Sequence, residues 1–291
     1  MLAKLFKAEM YKIIGNRFAT GCLIWIFPLM AVALVGLLLF VVLVSAEARE
    51  NLRAEPPLWT ETMLGAWNIP NNPFGRLLLL GFTAVLFGGE YQWNTWKSIV
   101  PRSQRVSLLL IKFLAVGIFV VLAFGLTSIL WAGGQWFVLA VIDANYGPAV
   151  NSEVLSDFAQ DYALQAITTF VSVIIAAGYA AVAAIITRSI LGSVVVGFVL
   201  TLAEGFSILA LFLVVWLIGD ERILHLYRLT PTYNLINVST WVNEHRAAGF
   251  EMPSEEMIYD NLMFSLVILA IWMIGLIAST TFFFQQQDIT N

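Results

Sequence analysis

The chain has 291 residues, 60% hydrophobic and only 12% charged, with a formal net charge of −4 and a mean hydropathy of +0.85. Soluble domains carry about 45–50% apolar and about 25% charged residues, and a water-soluble globule of this size has no interior large enough for the excess. The composition excludes disordered, collagen-like, coiled-coil and nucleic-acid-binding classes, and the single cysteine, Cys22, excludes a disulfide framework.

Residues 2–17 come first. Leu2, Leu5, Phe6, Met10, Ile13 and Ile14 recur at helical spacing, while Lys4, Lys7 and Lys12 face elsewhere. This pattern predicts an amphipathic helix lying in the membrane interface, with Lys4, Lys7, Lys12 and Arg17 toward anionic headgroups. A plain basic anchor is the alternative. Gly15-Asn16 then lets the chain turn into the first span.

Six stretches are apolar enough to cross a bilayer core of about 30 Å, which takes about 20 helical residues. They are residues 18–44, 74–90, 112–142, 163–187, 190–218 and 262–284. The first begins like a signal peptide, but its apolar run is too long and no small-residue cleavage site follows closely, so a retained span is expected. Cys22 within it reads as a small buried hydrophobe. The second is the weakest; its clean apolar part is 77–89, so Arg76 is expected to snorkel outward. The third exceeds one straight crossing, which predicts tilt or a break near Gly133-Gly134. It also carries Thr127, Ser128 and Gln135 beside Trp131 and Trp136. Those side chains suit a lateral path for an amphipathic substrate, or equally helix packing and an outer aromatic belt. In the fifth, Glu204 is the one acid deep inside a span and lies near its middle. A carboxylate there must be protonated, paired or exposed to a cavity. With Thr201 and Gly205 beside it, it lines either a translocation path or the seam between two copies, or it bonds a neighbouring helix.

Six spans place both termini on one side. That side holds nine basic residues: Lys4, Lys7, Lys12, Arg17, Lys97, Arg102, Arg105, Lys112 and Arg188. The other holds six, together with fifteen of the nineteen acids. The positive-inside rule makes the first side cytoplasmic. The loops 45–73, 143–161 and 219–261 are then outer and acidic.

The cytoplasmic loop reads Glu90-Tyr-Gln-Trp-Asn-Thr-Trp-Lys-Ser-Ile-Val-Pro-Arg-Ser-Gln-Arg105. Trp93 and Trp96 are three apart and share a face of any helix there. Lys97, Pro101, Arg102 and Arg105 make its far end basic, and Pro101 stops the helix. On these residues alone the loop is either a docking surface or an ordinary juxtamembrane belt.

The pattern Glu90, Asn94-Thr95, Pro101, Arg105 and Lys112 resembles the corresponding loop of ABC type-2 exporter permeases. In that family an acid, a Gly-Thr pair, a Pro, an Arg and a Lys stand at similar spacing, and Asn94 replaces the Gly here. The N-terminal stretch 5–17, the six-span plan and Leu229-Thr-Pro-Thr-Tyr-Asn234 add to the likeness. The resemblance implies an all-α polytopic membrane protein forming a single permease domain over 1–291. Residues 1–17 would be its interfacial (elbow) helix, and 90–107 a coupling segment docking on a separate ATPase subunit. Glu90, Trp93, Thr95, Trp96, Lys97, Pro101, Arg102 and Arg105 would carry that docking, with Arg188 a second, smaller contact. The outer loop 219–261 would hold short re-entrant helices before the last span. Thr201, Glu204, Thr127 and Gln135 would line the path or the dimer seam. Two permeases, identical or homologous, would pair above two ATPases in a cell membrane of bacterial type, with ATP and Mg on the ATPase chains.

The sequence carries no phosphate loop, no His-Glu-x-x-His and no Ser/Lys dyad. No cofactor, metal, nucleic-acid or enzymatic role is expected of this chain itself. His225 and His245, twenty apart, fit no compact metal motif. An ATPase-independent secondary transporter, which usually has broken helices in repeated halves, and a membrane scaffold or immunity protein are the other readings.

Overall fold

The computed structural model describes residues 2–100, 104–255 and 257–288, with Pro73 described in its backbone only. Among the described residues the secondary structure is helical apart from one small hairpin. Its first half holds α1 (Leu2–Gly15), α2 (Arg17–Leu23), α3 (Ile26–Val44), α4 (Ala46–Ala54) and α5 (Trp59–Gly65). A 3-10 helix (Ala66–Asn71), α6 (Pro73–Gln92), α7 (Trp96–Ile99) and α8 (Arg105–Val141) follow. The second half holds α9 (Ser152–Thr187), α10 (Ile190–Gly205), α11 (Ser207–Ile218), a 3-10 helix (Glu221–Leu229) and α12 (Pro231–Glu244). It closes with strands β1 (Gly249–Glu251) and β2 (Met257–Tyr259), which pair antiparallel, and α13 (Leu262–Gln285).

Among the described residues five helices are long and apolar enough to cross a membrane: Ile26–Val44, Phe74–Gln92, Arg105–Val141, Ser152–Thr187 and Leu262–Gln285. A sixth exists only if α10 and α11, bent by 55° at Phe206, count as one broken span. The expected single fifth span is therefore interrupted, two residues beyond Glu204. Gly205 and Ser207 flank the break, and such pairs commonly seat kinks. The first stretch is interrupted too. Pro28 has no N–H to bond the carbonyl of Ile24, so a helix running through both is broken upstream of it, and α3 starts at Ile26. In contrast, α8 runs unbroken through Gly133-Gly134 for 37 residues, about 55 Å at 1.5 Å per residue. Gly134 serves packing instead: a Cβ there would lie 2.2 Å from Val35 of α3.

The bundle is built around α9, which packs against α6, α8, α10 and α13. Its inward surface is largely small, with Ala176, Ala177, Gly178, Ala180, Ala181 and Ala184 buried, and small residues let helix axes approach closely. A second core joins α6 and α8 to α3, through Phe27 against Phe124 at 4.7 Å and Phe82 stacked on Phe119 at 5.9 Å. The outward faces of α3, α10, α11 and α13 stay apolar and exposed, as the sides of a lipid-facing bundle are. Cys22, expected inside, lies on such an exposed surface.

Candidate functional site

At one end of the bundle, α6 stops at Gln92 and the chain turns through Asn94, whose φ of +54° is in the left-handed region that Asn tolerates. The turn splits the two tryptophans. Trp93 is 59% exposed, while Trp96 is 2% exposed, packed on Phe284 at 4.6 Å and on Tyr91 at 6.0 Å. They do not share a face, because the intervening residues are not helical.

Beneath the turn lies a set of four charges, with Glu9, Glu90 and Lys112 buried and Lys12 at the exposed edge. Lys112 Nζ donates to Glu90 Oε1 at 2.9 Å and to the Leu86 carbonyl at 3.2 Å, and lies 3.0 Å from Glu9 Oε2. Lys12 Nζ lies 2.9 Å from both Glu9 Oε1 and Glu90 Oε1. The Thr95 hydroxyl donates to the Glu90 carboxylate. Two ammoniums and two carboxylates balance, so the cluster is neutral, and it ties α1 to α6 and α8. Burial works against the Lys12 ammonium, but the two glutamates outweigh it and raise Lys12 above its ordinary 10.5. Lys12, expected to reach for headgroups, stays partly exposed but is paired with Glu9 and Glu90. Lys4, Lys7 and Arg17 are exposed.

Arg105 is also engaged. Its Nη1 donates to the carbonyls of Phe284, Gln285 and Gln287 at 3.2, 3.0 and 2.8 Å, so it caps the C-terminus of α13, where orphan carbonyls and the helix dipole favour a cation. The side chains left facing outward are Trp93, Lys97 and, on the α9–α10 turn, Arg188. Lys97 and Arg188 line one hollow of about 260 Å³ with Tyr91, Asn94, Trp96 and Gln287, and the acids Glu90 and Asp288 line it too. The two predicted docking elements, 91 residues apart in sequence, stand side by side. Pro101 and Arg102 lie outside the described residues.

A second polar centre is built on Glu204, the last side chain before the break. Arg76, expected to snorkel outward, is 6% exposed, and its Nη1 donates to Glu204 Oε1 at 3.2 Å. The Tyr179 hydroxyl donates to Oε2 at 2.9 Å and the Thr232 hydroxyl to Oε1 at 2.6 Å. Of the three states open to a buried carboxylate, Glu204 takes the paired one, and α6, α9, α10 and α12 meet at it. Sequence reasoning missed Arg76, Tyr179 and Thr232. The available signal was one lone arginine in a weak span and one lone glutamate in another.

The other predicted path residues go elsewhere. Thr201 donates to the Gly197 carbonyl of its own helix at 3.0 Å, and Thr127 to the Ala123 carbonyl at 2.8 Å. Gly205 has no neighbour within 4 Å of a built Cβ, so no helix approaches there; the close approach is at Gly197, against Leu80 and Ala180. Thr127 lines an apolar hollow of about 220 Å³ between α3 and α8, and Gln135 one of about 410 Å³ beside it. The two hollows share Leu34 and Trp131, and neither includes Glu204.

Beyond the break, Arg228 bridges to Asp260 through both its Nε, at 2.8 Å, and its Nη2, and Tyr233 donates to Asp260 Oδ2 at 2.9 Å. Burial raises the Asp260 carboxyl, but these bonds and the Arg228 charge outweigh it and hold it below its ordinary 3.8. His225 lies against Arg228, and His245 is 4.0 Å from Asp161.

No protein-family model and no curated protein matches the chain.

Proposed function

We propose that this chain is the permease subunit of an ATP-driven ABC exporter, a transport subunit that hydrolyses no ATP itself. In this reading the 93–100 end is cytoplasmic and takes a separate ATPase subunit. The observation that carries the reading is the juxtaposition of Asn94, Trp96 and Lys97 with the Arg188 turn around one hollow. A docking partner would find the exposed Trp93, the cations Lys97 and Arg188 and the carboxylate of Asp288 on a surface fixed from behind by the Glu9–Lys12–Glu90–Lys112 cluster. Motion of that surface would pass into α6 and α8 without slack, because Lys112 and Glu90 belong to those two helices. Paired permeases would then shift against each other and open a path outward. ATP and Mg would reside on the two ATPase copies.

The test is co-purification with the ATPase encoded beside this chain. Trp93→Ala with Lys97→Glu and Arg188→Glu is expected to abolish the complex while the permease stays folded. Trp96 and Arg105 are unsuitable targets, since both are held inside the fold.

A second reading, an ATPase-independent secondary transporter, has one observation in its favour. The α10–α11 pair is a discontinuous helix with a buried ion pair at its break, a feature of that class. Failure of the wild-type chain to bind any ATPase would promote it.

A further inference from the structure

We propose that the hollow of about 330 Å³ between the start of α6 and α12 binds an oxyanion headgroup, a carboxylate or phosphate, carried on an apolar body. This goes beyond the exporter reading and needs no ATPase. The first observation is the state of Arg76. It lines the hollow and is 6% exposed, and only its Nη1 is used by Glu204. Among the described residues Nε and Nη2 have no hydrogen-bond partner, and both are covered in this arrangement, so an oxyanion would reach them with a small shift of the side chains around Arg76. Those two nitrogens form the side-on edge of the guanidinium, which takes two oxygens of one carboxylate or phosphate in parallel.

The second observation is the polarity of the walls. Asn72 Oδ1 accepts from the Gly75 amide at 2.7 Å, capping α6. Asn71 Oδ1 accepts from the Ser172 hydroxyl at 2.5 Å. Asn68 Oδ1 accepts from Gln165 Nε2 and the Ser239 hydroxyl, both at 3.4 Å. With all three amide oxygens engaged by the protein, the NH₂ groups are the hydrogen-bonding capacity these three lining side chains have left. The first turn of α6, a 20-residue helix, adds its positive end. Glu204, the partner of Arg76, already accepts three hydrogen bonds. A site this rich in donors and this poor in unengaged acceptors selects an oxyanion over a cation. Leu235 and the half-exposed Ile236 supply the apolar flank.

The full-length chain in neutral detergent would be tested for retention of labelled oleate, its neutral counterpart monoolein, and inorganic phosphate. Saturable retention of oleate without monoolein is expected. Retention of phosphate alone would also support the site and would identify its ligand as a free oxyanion. Arg76→Lys keeps a cation for Glu204 but loses the side-on edge, and is expected to weaken binding about tenfold. Asn68→Leu, at an exposed position, closes the mouth and is expected to weaken binding similarly, which keeps the test open if Arg76→Lys fails to fold. Equal retention of oleate and monoolein, no retention of either anion, or wild-type binding in whichever variants fold would overturn the proposal.

Discussion

Arg76 Nη1 lies 3.2 Å from Glu204 Oε1, both side chains buried, although 128 residues separate them in the chain. The pair joins the first turn of α6 to the last turn of α10, where the fifth apolar stretch breaks. Breaking a buried pair by removing one partner costs about 3–5 kcal/mol, because an uncompensated charge remains. Arg76→Met is therefore expected to lower the thermal unfolding midpoint of the purified chain sharply. Arg76→Met with Glu204→Leu should recover most of that loss. A double variant as unstable as the single would show that the polar bonds of Tyr179 and Thr232 dominate instead.

The Lys112 ammonium serves two carboxylates at once, Glu9 and Glu90. Lys112→Met leaves Lys12 alone between them, and Lys12 is partly exposed. The expected result is release of α1 from α8, seen as faster tryptic cleavage after Lys4, Lys7 and Lys12. An unchanged cleavage rate would mean that Ile13 and the apolar face hold α1 without the charges.

The Arg228–Asp260 contact has a pH signature. The folded-state carboxyl lies below its ordinary 3.8, so its contribution is fully present above that value. It declines as pH falls through 3.8 and is gone below the lowered folded-state value. Hydrogen exchange in β1 and β2, corrected for intrinsic rates, should be flat from neutral pH down to that point and accelerate below it. Asp260→Asn should remove the acid dependence. Acceleration that persists in Asp260→Asn would assign the effect to other acids.

Gly75 stands in the first turn of α6, where a Cβ would lie 2.0 Å from the Ile69 carbonyl oxygen. That atom is backbone and cannot swing aside. Gly75→Ala should destabilise the chain by about 1–3 kcal/mol or more, as overpacking does, read by the shift of the unfolding midpoint. Gly125→Ala, where nothing lies within 4 Å, is the matched control and should be near neutral.

Hydropathy and length located most of the long helices, because a run of apolar residues is a local property. The breaks were less legible. Within 190–218 the break is marked only by Glu204, Gly205 and Ser207, too short a dip to end an apolar run, and the bend there accompanies contacts of Glu204 with α6, α9 and α12. Arg76 was misread because its partner is distant in sequence; taken alone, an arginine near a span end belongs in the headgroups. The opposite fates of Trp93 and Trp96 follow from one left-handed residue, Asn94, which spacing alone does not reveal. Cys22 shows a different limit: in a bundle with apolar surroundings, an apolar position need not be interior. In the N-terminal helix, Leu5, Phe6, Met10 and Ile13 do face the bundle as their spacing predicts, but Glu9 and Lys12 join them because Lys112 and Glu90 wait opposite.

The central claim is that the Trp93–Lys97 segment docks an ATPase. The most direct measurement is cross-linking from single cysteines in a Cys22→Ser background, with the ATPase encoded beside this chain. Lys97→Cys reports on the docking end. Glu61→Cys, on α5 near the far end of α8, reports on the opposite one. The account predicts a cross-link to the ATPase from position 97 and none from position 61. A cross-link from position 61 alone, or from neither position with both proteins folded, would contradict it.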